Sequence, residues 1–326
     1  MLKVLDLHNN FINPDAAPGL SSMLNSKTNL SEVRISRNAL EAKGMSDIAS
    51  ALQNIYSLKV LDVSSNNIQV RASNDISAIL KSNTSLEILD VSQNMLESLG
   101  CIKLCKALQK HHHNLKVFNI NNNGINSIIA AYELASALKD KQKLEVVNVS
   151  QNEFEAGLAA IVASLKSTKF LKELTLRESG TVDQKAVIEI CQVINQNPSL
   201  EVLDLRGTML QTSGADKIFR TLSRSTALKV LNVSYNNIED SAARQLAASS
   251  LAYHSTLKVL LINNNPLSYA TIKEVVFKQL SNASSLKNIR VPNITNLRIK
   301  ADIDQKVEMI NRNRKETNKL IFSNFG

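Results

Sequence analysis

The sequence predicts an α/β solenoid, with a parallel β-sheet along one side and α-helices along the other. Three observations predict it. An eleven-residue pattern recurs: Leu2 to Ile12 reads LKVLDLHNNFI, Leu58 to Ile68 reads LKVLDVSSNNI, Leu86 to Leu96 reads LEILDVSQNML and Leu228 to Ile238 reads LKVLNVSYNNI. The first Leu of the pattern stands at 2, 30, 58, 86, 115, 144, 171, 200, 228, 257 and 286, which makes 11 repeats of 27–29 residues. Within each repeat the apolar period changes from two to about 3.6.

The first half of a repeat reads as a short strand. Leu58, Leu61 and Val63 flank Val60 and Asp62 in the alternation of a half-buried strand. The second half reads as a helix. Ile48 and Leu52, Ile76 and Leu80, and Leu104 and Leu108 are pairs four apart, on one helix face. Gly44, Gly100 and Gly214 share one repeat position and are expected in a tight strand-to-helix turn. One repeat cannot bury its apolar face alone, so stacked repeats must share one core. Asn10, Asn38, Asn66, Asn94, Asn123, Asn152, Asn236 and Asn265 fill eight of eleven equivalent positions. An amide there is expected to satisfy backbone groups leaving the strand ladder.

The pattern LxxLxLxxNxL followed by a full helix resembles the ribonuclease-inhibitor-type leucine-rich repeat, over about residues 2–295. The resemblance implies a curved horseshoe with the parallel sheet inside and the helices outside. Spacing agrees, because strands stack about 4.8 Å apart and helices need roughly 8–10 Å. Similar arrays occur in ribonuclease inhibitor, Ran GTPase-activating protein, tropomodulin-like actin regulators, the sensor region of NOD-like receptors and bacterial effectors. The expected organisation is a leucine-rich-repeat array over 1–295 and a capping helix with a basic tail over 296–326. Ile303, Val307 and Ile310 carry the helical spacing of the cap, and Asn311-Arg312-Asn313-Arg314-Lys315 follows. Residues 286–326 hold nine Lys/Arg and four Asp/Glu, so +5 of the net +9 lies there. Met1 stands directly against Leu2, leaving the edge made by Leu5, Leu7 and Ile12 without a cap. The expectation is an N-terminal extension or self-association through that edge.

Composition bounds the rest. The chain has 326 residues, is 44% hydrophobic and 4% aromatic, and has three Cys and no Trp. It is too apolar for disorder, and its apolar runs are too short to span a bilayer. Three Cys exclude a disulfide scaffold and fit a reducing, cytoplasmic compartment. MLKVLDLHNN has no basic stretch ahead of an apolar core, so it does not read as a signal peptide. Cys101 and Cys105 with His111, His112 and His113 invite a metal reading. Yet Cys105 aligns with Ala49, a small inward position, so these residues are assigned to core and loop, with no metal. No phosphate-binding Gly loop, nucleophile elbow or His-Glu metal helix is present, so no enzyme, cofactor or small-molecule substrate is expected. Few aromatics argue against stacked bases, and so against nucleic acid. The central strand positions carry four acids (Asp6, Asp62, Asp90, Asp204) and two bases (Arg34, Arg290), which is no basic stripe.

What remains is a surface. Three positions per strand are expected to face solvent on the inner sheet face. The first is mostly Val or Ile (Val4, Val60, Ile88, Val117, Val146, Val202, Val230, Val259) and the third mostly Ser or Asn (Ser36, Ser64, Ser92, Asn121, Ser150, Ser234, Asn263). Repeats seven and eight break these rows. Glu173 interrupts the first, Arg177 and Arg206 replace the third, and Ser179 and Thr208 replace the motif Asn. Arg177, Arg206, Glu173, Thr175, Glu178 and Asp204 are therefore the candidate partner-binding residues, with Arg as anchor. The expected function is non-enzymatic binding of a protein partner with an acidic surface on the concave face. Three narrower roles fit: a bacterial effector or regulator that blocks a target protein, acting in the host cytosol; the ligand-sensing C-terminal part of a larger NOD-like receptor; and a GTPase-activating protein. The basic tail counts against the last, and a basic chain would repel a basic ribonuclease.

Overall fold

Each repeat turns its three-residue strand into a βα unit, because Val and Leu alternate at the strand and a 3.6-period apolar stripe follows. The computed structural model describes residues 2–26, 29–109, 112–222, 227–246, 248, 256–280, 288–292, 297–312 and 321–325. They belong to two compact bodies, Met1–Leu171 and Lys172–Gly326. The first holds β1 (Val4–Asp6), α1 (Ala17–Asn25), β2 (Glu32–Arg34), α2 (Glu41–Leu52), β3 (Val60–Asp62), α3 (Ser73–Ser82), β4 (Ile88–Asp90), α4 (Glu97–Leu108), β5 (Val117–Asn119), α5 (Ile128–Leu138), β6 (Val146–Asn148) and α6 (Leu158–Ser164). The second holds β7 (Glu173–Thr175), α7 (Gln184–Gln196), β8 (Val202–Asp204), α8 (Gln211–Leu222), β9 (Val230–Asn232), α9 (Asp240–Gln245), β10 (Val259–Leu261), α10 (Tyr269–Leu280), β11 (Asn288–Pro292), α11 (Leu297–Arg312) and β12 (Ile321–Phe325).

In each body the strands are parallel, pair in chain order and keep the repeat register: Val60 faces Ile88, and Val202 faces Val230. A leucine-rich-repeat architecture is thus present in both. The strand centres Leu61, Leu89, Phe118, Val147, Leu174 and Leu203 are fully buried, as are Ile48, Ile76, Leu104 and Ile190 on the facing helix stripes. Among the described residues no helix is long and apolar enough to cross a membrane.

The motif Asn residues form a buried ladder. Asn94 donates through Nδ2 to the carbonyls of Val63 (2.9 Å), Val91 (3.2 Å) and Ser92 (3.1 Å). Its Oδ1 accepts from the backbone N–H of Asn66 (2.9 Å) and Ile68 (3.4 Å) in the preceding repeat. Its own carbonyl accepts from Gln69 N (2.7 Å), which leads into the preceding repeat's helix. One side chain therefore closes the bend in two repeats, as the residue type predicts.

The glycine expectation needs correcting. Gly44, Gly100 and Gly214 lie inside the first turn of α2, α4 and α8, not in a turn ahead of them. What they supply is room. A Cβ on Gly214 would come within 2.9 Å of Leu210 Cδ1 and 3.1 Å of Val187 Cγ2.

A second ladder, unforeseen in the sequence, caps helix C-termini. In three successive repeats the residue three before the first Leu is a buried polar side chain that bonds to the helix of the preceding repeat. Asn83 Nδ2 reaches Leu52 O (3.1 Å), His112 Nε2 lies 2.9 Å from Leu80 O, and Lys141 Nζ reaches Leu108 O (2.9 Å). A buried donor there answers the partial negative charge of the helix end. Burial pushes the Lys141 ammonium below its ordinary range.

At the C-terminal end lies α11, with Ile303 and Val307 buried and Lys300, Asp304 and Glu308 exposed. Residues 313–315 of the basic run lie outside the described residues, as does His111. The stretch read as basic tail also supplies β12, which pairs parallel to β11, Asn288 opposite Ile321 and Pro292 opposite Phe325.

Candidate functional site

The central strand residue shapes the surface of each repeat. Asp62 Oδ1 accepts from Ser64 N (3.0 Å) and Ser64 Oγ (2.7 Å), and Asp90 Oδ1 does the same for Ser92 at 2.9 and 2.6 Å. Asn119 Nδ2 then donates to Asp90 Oδ2 at 2.8 Å. The central carboxylates and amides thus form turn-closing ladders, consistent with a structural role.

This bonding overturns one expectation. The third position is not generally open to solvent: Ser36, Ser92, Ser150 and Ser234 are all buried. Their side chains are small enough to sink between neighbouring turns, where the hydroxyls of Ser92 and Ser234 donate to Asp90 and Asn232. Where the row is uniform, it presents little that a partner can grip.

Repeats seven and eight, in the second body, depart from this pattern as their sequence does. Thr175 pairs with Asp204 in the β7–β8 register. Two residues on, Arg177 and Arg206 stand side by side. Glu178 lies between them: its Oε1 is 3.4 Å from Arg177 Nε and 3.5 Å from Arg206 Nη2. Arg206 also places its guanidinium carbon 4.5 Å from the ring centroid of Tyr235, a cation–π contact with the next repeat. Its backbone N–H donates to Asp204 Oδ1 at 2.9 Å. Burial pushes the Asp204 carboxyl above its usual range, and hydrogen bonds from Arg206 N and Asn232, with the charges of both arginines, act against that shift. Thr175 Oγ1 lies 3.3 Å from Glu173 Oε1.

All six predicted site residues are half-buried, so Arg177 and Arg206 are less exposed than the sequence suggests. The structure joins Arg177, Arg206, Glu178 and Asp204 in one electrostatic cluster and leaves Glu173 and Thr175 bonded to each other beside it. Tyr235 belongs to the cluster and escaped the sequence reading. Its signal was an aromatic where other repeats carry Asn9, Ser65 or Gln93.

Thr208 stands in for one of the lost motif amides. Thr208 Oγ1 donates to Leu205 O (2.8 Å), while Asn236 Oδ1 accepts from Thr208 N and Leu210 N, both at 3.0 Å. Past this bend a cavity of about 220 Å³ opens between the starts of α7 and α8, lined among others by Thr181, Gln184, Met209, Gln211 and Lys217.

Cys101 Sγ and Cys105 Sγ lie 3.8 Å apart, both buried. No group of three or more His, Cys, Asp or Glu among the described residues is placed to hold a metal ion.

A family model described as "Leucine Rich repeat" matches residues 57–71, 82–105, 196–219 and 224–247. Among solved structures the chain is similar to an internalin from Listeria monocytogenes, at 18% identity and TM-score 0.49, covering 93% of this chain and 82% of that one. It is also similar to the structure titled Leiomodin-1 Actin-Binding Site 2, at 16% identity and TM-score 0.37, covering 44% of this chain and 79% of that one. No curated protein sequence matches the chain.

Proposed function

We propose that the chain is a non-enzymatic protein-interaction module, and that its second body receives an acidic segment of a partner protein on Arg177 and Arg206. One observation carries this reading. In the repeat array, where the third row is mostly Ser or Asn and largely sunk, two guanidinium groups stand side by side on adjacent repeats, with Tyr235 supporting one of them. Arg forks recognise carboxylates through paired charge-assisted hydrogen bonds, and a few such anchors dominate interface energetics. The face in question is the concave one expected of such a sheet. A blocking regulator and the ligand-sensing part of a larger receptor would use it in the same way. Three thiols and no pairing requirement suit a cytoplasmic setting.

The test begins with cross-linking to capture the partner. Titration calorimetry then compares the wild type, Arg177→Ala plus Arg206→Ala, and Arg71→Ala plus Lys81→Ala. The last pair removes the same charge from exposed positions of the first body. The site double variant is expected to lose about 2 kcal/mol or more of binding free energy, roughly thirtyfold in Kd. Equal losses in the two double variants would place the interface elsewhere.

A further inference from the structure

The arginine pair already holds an anion, and that anion belongs to the chain itself. We propose that Glu178 is a built-in competitor, whose carboxylate occupies the place of an acidic side chain of the partner and turns away when the partner binds. The inference rests on the reading of Arg177 and Arg206 as the partner's anchors.

Five observations carry it. Both guanidinium groups approach the same Oε1 of Glu178, at 3.4 and 3.5 Å. Those distances exceed the roughly 2.7–2.9 Å of well-formed charge-assisted bonds, so one oxygen serves two cations poorly. The Arg206 Nε–H, shielded from water, has no hydrogen-bond partner among the described residues. A planar carboxylate that engages the guanidinium edge in a two-pronged way supplies what Glu178 does not.

The Glu178 side chain is 39% exposed, so it can rotate outward without unpacking the core. Its Cγ lies over Gly207, where a Cβ would approach to 3.0 Å. Glycine at 207 serves twice: its φ is +62°, and it leaves the space in which Glu178 lies. Finally, Arg206 is steadied by the Tyr235 ring independently of Glu178. The anchor is therefore expected to keep its place when the internal carboxylate leaves. A competitor of this kind screens the cations in the free protein. It rejects weak anions and admits only an acid that makes better bonds, at a cost in affinity.

The probe is a fluorescein-labelled peptide of six glutamates, titrated by anisotropy with the full chain at two salt concentrations. Glu178→Gln keeps the side-chain volume and removes the charge. Glu153→Gln, at an exposed site of the first body, removes the same charge elsewhere. The expected result is about tenfold tighter binding for Glu178→Gln, about 1.4 kcal/mol, with Glu153→Gln within twofold of the wild type. Adding Arg177→Ala and Arg206→Ala to Glu178→Gln is expected to abolish the gain. Glu178→Ala is expected to move affinity in the same direction, which guards against an effect of the new amide. If Glu178→Gln binds no tighter than the wild type while the arginine variants still weaken binding, Glu178 is a support for the anchors and the competitor role is overturned. If neither the arginine variants nor Glu178→Gln shifts affinity beyond the Glu153→Gln control, the anchor reading falls, and the competitor role falls with it.

Discussion

At the residue scale the bend after each strand is the most demanding point. In most repeats the chain there enters left-handed backbone without glycine: φ is +55° at Arg37, +56° at Gln93 and +58° at Tyr235, with Gly207 at the same position of repeat eight. Such conformations cost free energy for residues with a Cβ. The buried Asn ladder offsets that cost by fixing the carbonyls and N–H groups around the bend. Removing one amide leaves several backbone groups buried and unpaired at once. Asn94→Ala is therefore expected to destabilise the chain by about 3 kcal/mol or more, since each orphaned buried group costs roughly 1–3 kcal/mol. Urea denaturation followed by circular dichroism measures it. A loss below 1 kcal/mol would mean that water enters the bend and replaces the amide. This ladder was legible in the sequence because the same residue recurs in most repeats. The C-terminal helix caps were not, because Asn83, His112 and Lys141 share only a position and a donor, not a chemistry.

At the element scale the helices are positioned by contact with their neighbours in the stack. Ser127 on α5, Asp183 on α7 and Ser268 on α10 supply a side-chain cap, whereas several helices, α2 and α4 among them, begin without one. Their starts are held by backbone bonds to the next repeat, such as Glu97 N to Asn123 O at 2.8 Å. Where two helix starts approach closely, the sequence places a glycine. Gly157 precedes α6, and a Cβ there would lie 2.4 Å from Ala131 Cβ. Gly157→Ala is expected to destabilise by about 1–3 kcal/mol through overpacking. Gly19, in the body of α1, has nothing within 4 Å of its would-be Cβ. Gly19→Ala is expected to stabilise by about 0.5–1 kcal/mol, because alanine has less backbone freedom to lose on folding. Opposite signs in a paired melting experiment check both. The same sign for both would show that helix spacing adjusts and does not fix the residue.

At the scale of the molecule, burial changes along the first body. Leu2 and Val4 are 44% and 45% exposed and Phe11 is 86% exposed, whereas Leu58 and Leu61 are fully buried. Local opening is least costly where few apolar side chains are covered. Amide hydrogens of β1 and α1 are therefore expected to exchange at least tenfold faster than those of β3 and α3. Exchange measured by mass spectrometry at peptide resolution decides it. Equal protection would mean that another surface covers β1 in solution, consistent with self-association at an open strand edge.

The sequence by itself determined the repeat, and through it the strand and helix positions, the parallel register and the buried amide ladder. Periodicity carries that information because each repeat must present the same apolar faces to its neighbours. It also marked repeats seven and eight as different. Only the tertiary structure decided what the difference builds. The sequence offered Glu178 as one of several nearby acids, but convergence on one oxygen depends on the strand register and on the space above Gly207. Tyr235 is 29 residues beyond Arg206, and only the stacking of the next repeat brings its ring under the guanidinium. The serine row was misjudged for a related reason. Alternation tells which side of a strand a residue leaves, but not whether neighbouring turns close over it, as they do over Ser92 and Ser150. The strand β12 lies outside the repeat, so periodicity carried no signal for it, and its place was set by the open edge of β11.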